Sequence, residues 1–189
     1  MTRVPTDGER HQLGIAAHEA AHAVTAVLAG ARISRVVMVR GGPRTNPGGA
    51  AGVCRYARQD DSLAAVVETQ RHLITAAGSV AEAVWHHGPR PTSRQIDRFL
   101  DVNTRDRAEL RTIAYALGEP PRPREVLPTV LRCWPAIAEV GRRLFTEGSA
   151  SHTDVLRALG IAAEQDAPSL LAAIRNGQRP IPLREEQPA

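Results

Sequence analysis

The chain contains no lysine: all 24 of its basic residues are arginine. A phosphate-binding loop of the Gly-x4-Gly-Lys type therefore cannot occur in it, and ATP is not expected to act on it. Aromatic residues are only 3% of the 189 residues, so a core must be built from Ala, Val, Leu and Ile, a composition that suits packed helices. The two cysteines, Cys54 and Cys133, lie far apart and outside any CxxC spacing. That excludes a disulfide scaffold or a cysteine zinc knuckle and reads as two reduced structural thiols. The formal net charge of +4 is spread along the chain with no basic stripe interleaved with aromatics, so no nucleic-acid partner is expected. The first dozen residues are polar, without an apolar signal core, and no apolar run of 18 or more lacks ionisable residues. The expectation is a cytoplasmic chain without a membrane partner.

What is present reads as one mostly α domain with a short tail. A first helix is expected from a cap at Thr6 or Asp7 to Gly30. Residues 33–40, short and β-branched, read as a strand; a Gly/Pro-rich loop over 41–49 and a second strand over 52–56 complete a small hairpin or sheet. Asp60 or Asp61 opens a long helix that Gly88-Pro89 stops. Helical patterns follow over 93–100, 104–117 and 124–147, the last with Pro135 as a kink or break. Another is expected over 154–159, capped by Ser151 or Thr153, and one more over 167–176. The Pro-, Arg- and Glu-rich end, 178–189, is expected to fray.

The most informative segment is His18-Glu19-Ala20-Ala21-His22, inside the run 13–31, which carries no other charged side chain. Residues four apart on a helix stack on one face, so His18 and His22 can share an ion. Glu19 directly follows the first histidine, where it can take a proton from a metal-activated water. This is the HExxH arrangement of zinc peptidases. Chance matches run at about 0.02 per chain of this composition, and burying three ionisable groups in so apolar a stripe is costly unless something pairs them. The bland alternative is a surface helix with a His-Glu-His polar face. His11 lies two turns from His18, about 10 Å at 1.5 Å per residue, too far to join the same ion. His86 and His87 point about 100° apart and read as a solvated pair at a helix C-terminus.

The order of motifs resembles the peptidase domain of FtsH-type AAA zinc proteases over about residues 8–160. Ala17-His18-Glu19-Ala20-Ala21-His22-Ala23 is similar to that family's A-x-HEAGHA, and the strands at 34–40 and 51–56 to its edge strand and Gly-containing strand. Ala77-Gly78-Ser79-Val80-Ala81-Glu82-Ala83 resembles its GGRxAEE segment; Asp106 with Ile113-Ala114 and Gly118 resembles its D-x6-IA…G segment. Ala21 stands where the family usually has glycine, the segment between Glu82 and Asp106 is longer than usual, and the ATPase module is missing. The resemblance implies a helical zinc-peptidase domain over 1–160, followed by a C-terminal helix and flexible tail over 161–189. It implies a metalloendopeptidase with Zn2+ held by His18 and His22, Glu19 as the catalytic base, and unfolded or flexible polypeptides as substrates. A separate unfoldase or adaptor is an implied partner, and an oligomer is compatible. The alternative is a catalytically degenerate relative that binds metal or a partner.

One further ligand is needed, because a catalytic zinc keeps its fourth position for water. Asp97, Asp101 and Asp106 compete for that role. Asp106 is chosen because it falls in the first turn of the 104–117 helix, where the dipole favours a carboxylate, and because it keeps the Ile113-Ala114 register of the resemblance. Glu82 is the candidate partner of a ligand histidine, against the alternative of a capping or surface carboxylate. The strand at 33–39 is the expected docking edge for an extended peptide.

Overall fold

Helix α1 (Asp7–Leu28) starts where Thr6 caps it: Thr6 Oγ1 accepts from the Glu9 amide at 3.3 Å, and Glu9 accepts in return from the Thr6 amide at 2.8 Å. From Gly14 onward nearly every residue of α1 is buried, so it is the central helix and not a surface one. Its many alanines let neighbours approach closely, as at Gly141, whose position lies against the backbone of Ala16 and Ala17. The computed structural model describes residues 4–40, 50–56, 61–120 and 122–182. The expected loop over 41–49 and Asp60 fall outside these residues, as does 183–189.

The chain continues through β1 (Ile33–Arg40), β2 (Ala50–Tyr56), α2 (Asp61–His87), α3 (Ser93–Val102) and α4 (Thr104–Leu117). A 3-10 turn (Pro123–Val126) leads into α5 (Leu127–Arg132) and α6 (Trp134–Glu147), then β3 (Ser149–Ala150), α7 (His152–Ala158), a second 3-10 turn and α8 (Ala167–Arg175). The result is mostly helical with one small antiparallel sheet, order β2-β1-β3. Helices α2 and α6 pack on α1, with the sheet against it as well. Among the described residues no helix is long and apolar enough to cross a membrane.

Several expectations need correction. The helix expected over 124–147 with a kink or break at Pro135 does break there, between α5 and α6 at Cys133, and its first turn is a separate 3-10 segment. Pro123, Pro128 and Pro135 each sit in the first turn of a segment, where the missing N–H costs nothing. β3 was not expected; Gly148, with φ 76°, ends α6 in the left-handed region and turns the chain so that Ala150 pairs with Val36. Strand β1 is consequently the middle strand rather than a docking edge, and among the described residues the free edge beside α1 belongs to β2. The described part of the tail, 178–182, is not frayed. Ile181 is 7% exposed and Arg179 donates to the Gly160 carbonyl at 3.0 Å, because that isoleucine shares the core with Ile161, Leu171 and Ile174.

Candidate metal centre

Three ligand atoms meet where α1, α2 and α4 pack. Nε2 of His18 and Nε2 of His22 are 3.0 Å apart, and Oδ2 of Asp106 lies 3.1 Å from the first and 3.2 Å from the second. The corners of a tetrahedron around an ion at about 2.0–2.1 Å are about 3.3 Å apart, so the triangle is close to the spacing a bound Zn2+ requires. His18, Glu19 and His22 are 6%, 8% and 8% exposed, which excludes the surface-helix alternative.

The far nitrogens settle which way the near ones face. His22 Nδ1 lies 2.8 Å from the Ile74 carbonyl, which can only accept, so Nδ1 carries the hydrogen. His18 Nδ1 lies 3.3 Å from Oε2 of Glu82, an acceptor-only carboxylate. Both imidazoles are thereby held with Nε2 turned to one point, where each can ligate an ion once that nitrogen is deprotonated, the arrangement second partners impose on metal-binding histidines. Glu82 is buried and is thus neither a helix cap nor a surface carboxylate. Its pKa is lowered: burial opposes the charge, but His18 and Asn103 outweigh it.

The backbone behind the site is shaped to leave room. A Cβ on Gly78, on α2, would sit 2.5 Å from Nε2 of His22 and 2.6 Å from Nε2 of His18. A Cβ on Gly52, on β2, would sit 2.0 Å from Cγ of Glu19. Glycine at these two positions is what permits the helix α2 backbone and the strand to close on the histidines and the glutamate. Glu19 makes no hydrogen bond or ion pair among the described residues, so its carboxylate keeps its acceptor capacity inside a buried site.

The other sequence candidates lie elsewhere. Asp101 pairs with Arg107 at 3.1 Å, and Asp97 and Asp101 both line a separate, largely apolar hollow with Leu100, Leu110 and Pro123. His86 and His87 are exposed at the end of α2, where His86 also stacks on Phe99 at 5.3 Å between ring centroids. His11 is exposed.

Asn103 is the residue sequence reasoning missed. It occupies the N-cap position of α4 yet makes no side-chain cap. Its Nδ2 turns inward instead, donating to Oε2 of Glu82 at 3.0 Å and to Oγ of Ser79 at 3.3 Å. An Asn three residues before Asp106 was visible in the sequence, but it reads there as an ordinary cap. The donor set, the tautomers and the glycine cradle fit a divalent ion such as Zn2+; the same three side chains also form a buried histidine–aspartate ion-pair cluster. No protein-family model matches this chain, and no curated protein matches it.

Proposed function

We propose that this chain is a zinc-dependent metalloendopeptidase of the FtsH-type peptidase class, acting without ATP on unfolded or flexible polypeptides. The observation that carries the reading is the meeting of Asp106 Oδ2, from α4, with His18 Nε2 and His22 Nε2 on the helix that also presents Glu19. His18, His22 and Asp106 would hold the Zn2+, which would supply a Lewis acid for the scissile carbonyl and lower the pKa of a water to about 7. Glu19, buried and without a protein partner among the described residues, takes the proton of the attacking water and delivers it to the leaving amine nitrogen. Glu82, with Asn103 behind it, keeps His18 in the ligand tautomer, and the Ile74 carbonyl does the same for His22. An extended substrate adds to the free edge of β2, where Gly52 lets its main chain approach Glu19. The buried free thiol of Cys133 suits a reducing cytoplasm.

The test is metal content and casein hydrolysis by protein purified without a histidine tag. About one zinc per chain is expected, with cleavage abolished by a chelator and by Glu19→Gln, which should keep the metal. Undiminished cleavage by Glu19→Gln would show that another group is the base. The 3.1 Å contact between His18 and Asp106 favours a second reading, a catalytically silent domain that recruits a partner. Stoichiometric zinc with no cleavage of any unstructured substrate selects it.

A further inference from the structure

Arg35 and Arg55 stand directly opposite each other in the β1–β2 ladder. Val36 and Met38 are buried and Gly52 lies against Glu19, so the alternation sends 36, 38, 52 and 54 toward α1, and 35, 37, 53 and 55 to the other face. Like charges directly opposed across an antiparallel pair are unfavourable. Here nothing among the described residues neutralises them: Arg35 Nη2 donates only to Ser149 Oγ, at 3.2 Å, and neither guanidinium meets a carboxylate. Among the described residues seven other arginines, Arg32 and Arg143 included, do meet one. The sequence from 33 to 59 holds five arginines and no Asp or Glu. An uncompensated pair of cations is therefore held on the strands that flank the candidate site.

We infer that this face selects an acidic residue in an extended polypeptide substrate, through Arg55 with Arg35 beside it. The inference rests on the peptidase reading for its register. In a peptide added antiparallel to the β2 edge, the residue opposite Gly52 lies beside Glu19. The residue opposite Arg55 comes three positions earlier in the peptide and points to the arginine face, at a cross-strand Cβ separation of about 4.5–5.5 Å. A carboxylate there accepts charge-assisted bonds from the Arg55 fork, and Arg35 adds to the attraction. Neighbouring positions of the peptide face α1 and gain nothing from a charge.

Binding separates this from catalysis. Short fluorescein-labelled peptides with a single central Asp, Asn or Arg are titrated by anisotropy into the Glu19→Gln protein, and the parent's cleavage sites on the same peptides are mapped by mass spectrometry. The Asp peptide is expected to bind about fivefold tighter than its Asn counterpart at low salt, with the gap narrowing as salt screens it. Arg55→Ala should remove the difference and Arg55→Glu should turn it in favour of the Arg peptide. Parent cleavage should cluster at one offset from the Asp. Equal binding of Asp and Asn peptides overturns the inference, as does a preference that survives Arg55→Ala combined with Arg35→Ala. Tighter binding of an oligonucleotide of equal charge also overturns it, marking the arginines as a nucleic-acid surface. Absence of cleavage with the binding preference intact sinks the peptidase reading alone and leaves the acid-selective face standing.

Discussion

Asn103 donates from Nδ2 to Oε2 of Glu82 at 3.0 Å, tying the junction between α3 and α4 to the helix that backs His18. The bond does two things at once. It orients the carboxylate that holds His18, and it anchors the chain three residues before Asp106. Asn103→Ala is expected to weaken zinc binding about tenfold, the lower end for removal of an outer partner of a metal site. Competition against a chromophoric chelator measures it, and an affinity equal to the parent's would assign Asn103 a purely structural part.

Only one of the three competing aspartates is placed to reach an ion. Separate Asp97→Ala, Asp101→Ala and Asp106→Ala proteins should show loss of stoichiometric zinc in the last alone, and His22→Ala should match it. Asp101→Ala removes an exposed pair with Arg107, an interaction whose loss costs about 0–1 kcal/mol. Zinc loss in Asp97→Ala or Asp101→Ala, with Asp106→Ala unaffected, would overturn the placement.

The two glycines make separable predictions. Gly78→Ala drives a methyl group into both ligand nitrogens, so zinc should be lost, along with about 1–3 kcal/mol of stability from overpacking. Gly52→Ala displaces Glu19 instead. That protein should keep its zinc and lose peptidase activity. Metal analysis of both variants beside a casein assay tells them apart, and full activity in Gly52→Ala would remove Glu19 from the mechanism.

Stability of the metal-free protein should depend on pH in a definite direction. Burial opposes a charge on His18, but Asp106 and Glu82 outweigh it and raise its pKa from 6.5 to about 10. Asp106 moves the other way: burial would raise it, yet its bonds to His18 and His22 hold it well below 3.8. Between 6.5 and 10 the folded state keeps a proton that the unfolded chain has lost, so stability falls as pH rises. Below 3.8 the unfolded chain takes up a proton that folded Asp106 refuses, so stability falls as pH drops. Thermal unfolding in chelator should therefore show its highest midpoint at about pH 4–6.5. A midpoint that climbs steadily from neutral to alkaline pH would contradict this. Zinc binding near neutrality should also release protons, detectable by calorimetry in buffers of different ionisation enthalpy.

Cys133 is buried between α5 and α6, and burial pushes its thiol up to about 12. The thiolate is the reactive form. Native protein should therefore leave Cys133 unlabelled by a thiol reagent at pH 8, with labelling only on unfolding, as peptide mapping would read.

The helical class and the pairing of His18 with His22 were legible in the chain itself, because both follow from local periodicity: residues four apart share a helix face whatever the rest of the protein does. The hairpin strands and a helix start at Thr6 or Asp7 were legible for the same reason, each marked by residues within a few positions; the structure gives the cap to Thr6. Asp106 was different. It lies 84 residues from His22 in sequence; its place in a helix first turn and the Ile113-Ala114 register favoured it over Asp97 and Asp101, but only the packing of α4 against α2 turns it toward the histidines. Asn103 was hidden by its own type, since an Asn before a helix reads as a cap, and the tertiary fold gives it a buried carboxylate to bond instead. β3 carries no strand signal in two residues and exists because Gly148 returns the chain to β1. That short pairing makes β1 the central strand, so the edge beside Glu19, with Gly52 and the arginines across it, was decided by the tertiary structure alone.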